Sequence, residues 1–234
     1  MRNDEINIVI DTIGRCFLLR TESIKSNSYK LKAINHSYRA TYLMDSELND
    51  YQTRISGNIK YAMFVYDNST IGENELYIII GQNPSYSFSS NIDGTNQNIY
   101  KALLNRGIHR YLLLNTFPTI NSNGGKSENL CKTRKNLYII KQFIKKTRKK
   151  VSLKIVFACG SSLKVYAKSI RLLNRLCKKY KIQTFAFEHN GIPQCHLASH
   201  TLHKSGATPS TLVLSKYQVN LSDSHIFSTV NFFK

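Results

Sequence analysis

The amino-acid sequence predicts an α/β protein with three αβα layers around a mostly parallel central sheet. Three observations carry this expectation. Four apolar runs of strand length, Leu76–Ile80, Tyr111–Leu114, Leu153–Ala158 and Ile182–Phe187, recur along the chain. Amphipathic stretches with three- and four-residue steps stand between them. Each run also stops at a cluster of Gly, Asn, Pro, Ser or His. Buried parallel strands are continuously apolar, and the helices that connect them cover both sheet faces.

Residues 1–60 are polar and weakly periodic, and Ile6–Ile10 fits a strand or part of a helix. We expect these residues to form an N-terminal extension packed on a core domain of residues 61–234. Tyr61–Tyr66 predicts a strand ended by Asp67-Asn68-Ser69, and Leu76–Ile80 a second, ended by Gly81-Gln82-Asn83-Pro84. Asp93 is placed to cap a helix that turns Ile99, Leu103 and Leu104 inward and stops at Gly107. The strand Ile108–Asn115 runs into Asn115-Thr116-Phe117-Pro118.

From Asn129 to Lys150 the spacing predicts a helix with Leu137, Ile140 and Ile144 inward and a basic outer side. Leu153–Ala158 is a strand that ends at Cys159-Gly160-Ser161-Ser162. The helix after it carries Leu163, Tyr166, Ile170, Leu173, Cys177 and Tyr180 on one face. Lys164, Lys168, Arg171, Arg175 and Lys178 occupy its other face. Beyond the strand Ile182–Phe187 lies a loop rich in His, Gly and Pro, from Glu188 to His200.

Charge narrows the functional classes. The chain carries 33 Lys/Arg against 14 Asp/Glu, a net +19. Residues 1–75 hold 9 Lys/Arg and 10 Asp/Glu, whereas residues 76–234 hold 24 and 4. A basic domain behind a near-neutral leader fits a polyanion partner, of which nucleic acid is the commonest, with a ribosome-like or merely soluble basic protein as the alternative. After Glu75 the carboxylates are Asp93, Glu128, Glu188 and Asp223, too few for a two-metal nuclease or polymerase.

The five cysteines include no C-x-x-C pair, so a zinc ribbon or iron–sulfur cluster is not expected. Cys159 and Cys195 fit small buried residues better than nucleophiles. His196, His200 and His203 have helical spacing, yet no carboxylate or cysteine pair joins them, so no metal and no cofactor is expected. With no apolar run of roughly 18 residues and no signal-peptide pattern at the N-terminus, the expectation is a cytoplasmic monomer. Ligands of open α/β sheets bind outside the carboxyl ends of the strands, which makes Asn83 and Asn115 the first site candidates.

Taken together, these strand ends resemble the uracil-DNA glycosylase superfamily. Gly81-Gln82-Asn83-Pro84 is similar to its water-activating motif, G-Q-D-P-Y in one branch and G-x-N-P in the mismatch-specific branch. Leu112-Leu113-Leu114-Asn115-Thr116 is similar to the strand whose Asn reads the base edge, and Phe157-Ala158-Cys159-Gly160-Ser161 to the strand end before a helix. His196-Leu197-Ala198-Ser199 stands where the superfamily has H-P-S. The chain also resembles an uncharacterised bacterial group with N-P-S, N-x-F-P and H-P-L signatures. The resemblance spans about residues 60–205.

The resemblance implies a uracil-DNA glycosylase-like fold and a base-flipping hydrolase whose partner is double-stranded or single-stranded DNA. Asn83 then holds the attacking water, and His196 hydrogen-bonds O2 of the departing pyrimidine. Asn115 reads the base edge with a paired donor and acceptor. Gln82, Ser85, Tyr86 and Phe88 complete the substrate set, Tyr86 or Phe88 by stacking. Ser161, Ser199 and Lys204 are the implied DNA contacts, and Leu197 and Leu202 the candidates for a wedge into the duplex.

Two departures sharpen the expectation. Asn83 replaces the carboxylate of the G-Q-D-P-Y branch, and an amide orients water without accepting its proton. Ser85 replaces the Tyr that blocks pyrimidine C5 in that branch. Room beside C5 points to a C5-modified pyrimidine, such as hydroxymethylcytosine or its glucosylated form in phage DNA, and thus to anti-phage defence. Uracil or mismatch repair is the alternative within the class. Outside it stand a non-catalytic nucleic-acid-binding module and a free-nucleotide enzyme whose Gly160-Ser161-Ser162 cradles phosphate.

Overall fold

The computed structural model describes residues 25–30, 38–44, 60–67, 75–82, 94–117, 130–158, 167–193, 197 and 199–217. Nine strands in these residues form one mixed sheet. In chain order they are β1 (Lys25–Lys30), β2 (Tyr38–Met44), β3 (Lys60–Asp67), β4 (Glu75–Gly81), β5 (Arg110–Asn115), β6 (Ser152–Phe157), β7 (Gln183–His189), β8 (Ile192–Pro193) and β9 (Val213–Lys216). Four helices accompany them: α1 (Gly94–Leu104), α2 (Leu130–Thr147), α3 (Ala167–Tyr180) and α4 (Ser199–Ser205).

The sheet order is β1-β2-β3-β5-β4-β6-β7-β8, with β9 also paired to β7. Parallel pairing is confined to β5-β4-β6-β7. The remaining pairs, β1–β2, β2–β3, β3–β5, β7–β8 and β7–β9, are antiparallel, so the expectation of a mostly parallel sheet applies only to its centre. A parallel pair needs a long crossover, and α1, α2 and α3 supply the three that exist. Segment 31–37 is too short to supply another between β1 and β2. Residues 25–30 and 38–44, inside the expected N-terminal extension, thus continue the sheet of the core domain.

Alternate residues of each central strand feed two cores. Ile78 and Ile80 join Leu112, Leu114, Ile155 and Phe157 beneath α2 and α3, which contribute Ile140, Ile144, Ile170 and Leu173. Ile79, Leu113, Val156 and Phe187 face the other way, onto Ile99, Leu103 and Leu202 of α1 and α4. This two-sided burial explains why β4 and β5 lack polar alternation: Ile78–Ile80 and Arg110–Asn115 are buried throughout.

The helix ends follow their residues. Gly107, at φ 68°, closes α1 as expected, with Ile108 N–H donating to Leu103 C=O at 3.0 Å and Gly107 N–H to Leu104 C=O at 2.9 Å. The same turn closes α3 around Lys181, at φ 54°, where glycine is usual. The predicted helix after Ser161 is described from Ala167 onward, and Ile170, Leu173 and Cys177 are buried as its periodicity requires. Asp93 lies outside the described residues. No described helix is long and apolar enough to cross a membrane.

Candidate active site at the strand ends

The connection β4→α1→β5 moves one way along the sheet, and β5→α2→β6→α3→β7 moves the other, past β4. The direction therefore switches between β4 and β6. At such a switch point the two crossovers leave on opposite faces and open a crevice above the carboxyl ends. Gly81-Gln82 and Phe157-Ala158 flank this crevice, and Asn115 adjoins it across β4.

Hydrogen bonds continue past the last strand residues and fix this rim. Thr116 N–H donates to Gly81 C=O at 3.0 Å, and Phe117 N–H to Gln82 C=O at 2.9 Å. Thr116 Oγ1 donates to the same Gln82 carbonyl at 2.9 Å. On the far side Ala158 N–H donates to Ile80 C=O at 2.8 Å. Gln82 is thus held by its backbone, and its half-buried residue marks the lip of the crevice.

Asn115 pairs in register with Gly81. Its side-chain Oδ1 sits 2.5 Å from the place where a Cβ on Gly81 would stand, so the absence of a side chain there makes room for the amide. Asn115 is only 4 % exposed, so its amide is enclosed by the strand ends. Asn136 of α2, fully buried, donates through Nδ2 to Asn115 C=O at 2.7 Å and Thr116 C=O at 3.3 Å. Asn136 was not among the sequence candidates. Its signal was present, as a polar residue on the inward side of α2 beside Leu137 and Ile140.

The expected loop from Glu188 to His200 begins as a hairpin. Asn190 and Gly191, at φ 51° and 77°, form the two-residue turn between β7 and β8. Asn-Gly is the common signature of such a turn. Glu188 partners Val213 of β9 and Pro193 of β8, which must lie on opposite edges. Because β6 shares β7's other edge up to Ala186, β8 stands in line with β6, beyond its carboxyl end. The hairpin therefore walls the crevice on that side.

Leu197, the residue after His196, is buried, and its carbonyl accepts from Asn98 Nδ2 of α1 at 2.8 Å. Leu197 and Leu202 belong to the core beneath α1 and α4, so neither is available as a wedge into DNA. Ser199 opens α4, and Lys204 stands exposed in its last turn. Asn83, Ser85, Tyr86, Phe88, Ser161 and His196 lie outside the described residues, as do Cys159 and Cys195.

Among the described residues, the basic charge gathers away from this crevice. Lys145, Lys146, Arg148, Lys149 and Lys150 cluster at the end of α2, and Lys178, Lys179 and Lys181 at the end of α3, all exposed. Both ends lead directly into the amino ends of β6 and β7, the opposite edge of the sheet. Cations at helix C-termini complement the helix dipole, which accounts for the placement. Cys177 is buried beneath α3, and burial pushes its thiol up to about 12, which keeps it neutral and non-nucleophilic at ordinary pH. Among the described residues no group of three or more His, Cys, Asp or Glu is arranged to hold a metal ion.

Comparison with curated proteins and with solved structures finds no match. A family model does match, over residues 68–196, more than half of the chain. That span runs from just before β4 to His196 and contains both sides of the crevice, while Ser199 and Lys204 lie beyond it. The chain belongs to the family described as protein of unknown function (DUF1643).

Proposed function

We propose that the chain is a DNA glycosylase of uracil-DNA glycosylase-like fold, which flips a pyrimidine into the crevice and hydrolyses its N-glycosidic bond. The observation that carries the reading is the Gly81–Asn115 pair at the switch point. A buried amide there, made possible by a glycine, suits recognition of a base edge through one donor and one acceptor. The sequence Asn83-Pro84-Ser85, next after Gln82, and His196, next before the anchored Leu197, supply the remaining chemistry.

In this reading the base leaves the stack first, at a cost of a few kcal/mol. The C1′–N1 bond then breaks, its electron pair passing to the base, and the sugar becomes oxocarbenium-like. His196 donates to O2 of the leaving base, where negative charge develops. Asn83 orients a water toward C1′; the water adds its oxygen there and releases a proton to solvent, leaving an abasic site. Ser85 leaves space beside C5, so the favoured substrate is a C5-modified pyrimidine, with anti-phage defence as the setting. The small number of carboxylates supports a reaction that needs no clustered metal ions.

A base-release assay on defined duplexes tests the reading. Release from hydroxymethylcytosine or its glucosylated form, lost in Asn83→Ala and His196→Ala, supports it. Salt-sensitive binding without release supports a non-catalytic nucleic-acid-binding module instead. That second reading is favoured by one observation, the concentration of exposed Lys and Arg away from the crevice.

A further inference from the structure

A groove of about 530 Å³ runs between α2 and α3, on the sheet face remote from α1 and α4. Leu172, Leu176 and Tyr180 of α3 supply its apolar surface. Lys141 stands on the α2 side, and Arg171, Arg175 and Lys179 follow at four-residue steps along the α3 side. The Arg148 guanidinium lies 3.9 Å from the Tyr180 ring centroid and ties the two helices together where the groove ends.

Two features set this groove apart from a solvated basic face. Leu172 is 40 % exposed and Tyr138, three residues before Lys141, is 41 % exposed, so apolar side chains stand in water among the cations. Arg175 and Lys179 are like charges at i and i+4, an arrangement that destabilises a helix, and neither α2 nor α3 contains an Asp or Glu to balance it. The helix dipole favours cations in a last turn, which accounts for Lys179 but not for Lys141 or Arg175 further back.

A matching occupant is apolar along one stripe and acidic on its flanks. A nucleic-acid strand supplies the charge, but its bases find no stacking surface: Arg148 covers the Tyr180 ring, which otherwise packs on the core. An extended peptide would leave its backbone N–H and C=O groups facing two helices whose own groups are already paired. A helix pairs its backbone internally and presents a stripe at i, i+3, i+4 and i+7 that seats in a groove of this kind. From Arg171 to Tyr180 the groove runs about 13 Å along α3, room for about two and a half helical turns. The described helices of this chain contain no Asp or Glu, so a second copy offers no described helix of that kind.

We propose that the groove between α2 and α3 docks an acidic amphipathic helix of a partner protein. The apolar stripe of that helix covers Leu172 and Leu176, and its carboxylates pair with Lys141, Arg175 and Lys179, so that complementary charge fixes its register. The inference does not rest on the glycosylase reading.

The test titrates the full-length protein, by fluorescence anisotropy, into fluorescein-labelled peptides of about 14 residues. Each carries a Leu stripe at helical spacing with Glu on both flanks, and the set steps the stripe through successive registers. At least one peptide should bind about tenfold or more tightly than a scrambled peptide of the same composition. Leu172→Ser should weaken that binding about tenfold, and Arg175→Glu with Lys179→Glu should abolish it. The double charge variant should instead bind the same peptide with Lys in place of Glu. Circular dichroism checks that these variants, which change only exposed side chains, stay folded. Binding by no peptide of the set would overturn the proposal, as would equal binding of the scrambled peptide. Displacement of the peptide by a single-stranded oligonucleotide, with Leu172→Ser without effect, would also overturn it, in favour of nucleic acid as the occupant.

Discussion

The side-chain amide of Asn136, fully buried in α2, donates to the backbone carbonyl of Asn115 at 2.7 Å. It reaches Thr116 C=O as well, at 3.3 Å, so one side chain ties the helix layer to the strand end that carries Asn115. Its Oδ1 is also buried, without a hydrogen-bond partner among the described residues. The amide is therefore committed as a donor to the rim.

Asn136→Asp should consequently weaken the site more than its size suggests. A carboxylate offers acceptors where two carbonyls need donors, and it is charged in a buried place. We expect a stability loss of about 1–3 kcal/mol in denaturant unfolding. Base release should fall at least about tenfold, as about 1.4 kcal/mol of misplacement implies. Asn136→Gln, which keeps the donor on a longer arm, should recover part of both.

Gly81→Ala should displace Asn115. The added Cβ stands 2.5 Å from Asn115 Oδ1, closer than any real contact, and the crowded amide has little room to retreat. Overpacking of this kind costs about 1–3 kcal/mol. Thermal unfolding should register that loss, and release of the preferred base should fall further than release of a base read without Asn115.

Much of this arrangement was legible in the sequence. The apolar runs Leu76–Ile80 and Tyr111–Leu114 gave strands because a strand buried on both faces has no polar positions to obscure it. Gly107 marked a helix end because the positive φ of that turn favours a residue without Cβ. Antiparallel flanks were less legible: β2 depends on pairing with β3 and β1 on pairing with β2, and neither carries a continuous apolar run. Asn136 was passed over, despite its inward position, because a polar residue on an amphipathic helix is ordinarily solvated. Leu197 and Leu202, offered as wedge candidates, are instead buried, and neither a short polar helix nor the residues before it give enough periodicity to show that side.

Thr116→Val should separate the two bonds that converge on Gln82. The valine removes the Oγ1 donor at 2.9 Å but leaves Phe117 N–H bonded to the same carbonyl. The expected cost is about 1 kcal/mol, read in urea unfolding, with the Gln82 carbonyl still paired and the fold retained.

Alkaline pH should destabilise the protein through Cys177. Burial raises its thiol to about 12 from the ordinary 9.0, so the folded state keeps a proton that the unfolded state loses. Stability from this source is complete below about pH 9 and declines as pH rises toward about 12. Lys154 adds to the decline: although burial opposes its charge, hydrogen bonds to Glu75 and Tyr77 raise it above 10.5. Unfolding midpoints measured from pH 8 upward should fall less steeply in Cys177→Ala than in the parent, after correction for the cavity. Iodoacetamide should label Cys177 only on unfolding.

Direct detection of released base tests base excision at the Gly81–Asn115 rim. Purified protein is incubated with duplex and single-stranded DNA bearing uracil, a thymine mismatch, hydroxymethylcytosine or glucosylated hydroxymethylcytosine, and alkali then cuts any abasic site. The expected result is release of a C5-modified pyrimidine, abolished by Asn83→Ala and His196→Ala and suppressed by Ser85→Tyr. No base released from any substrate by protein that binds the same DNA would contradict it.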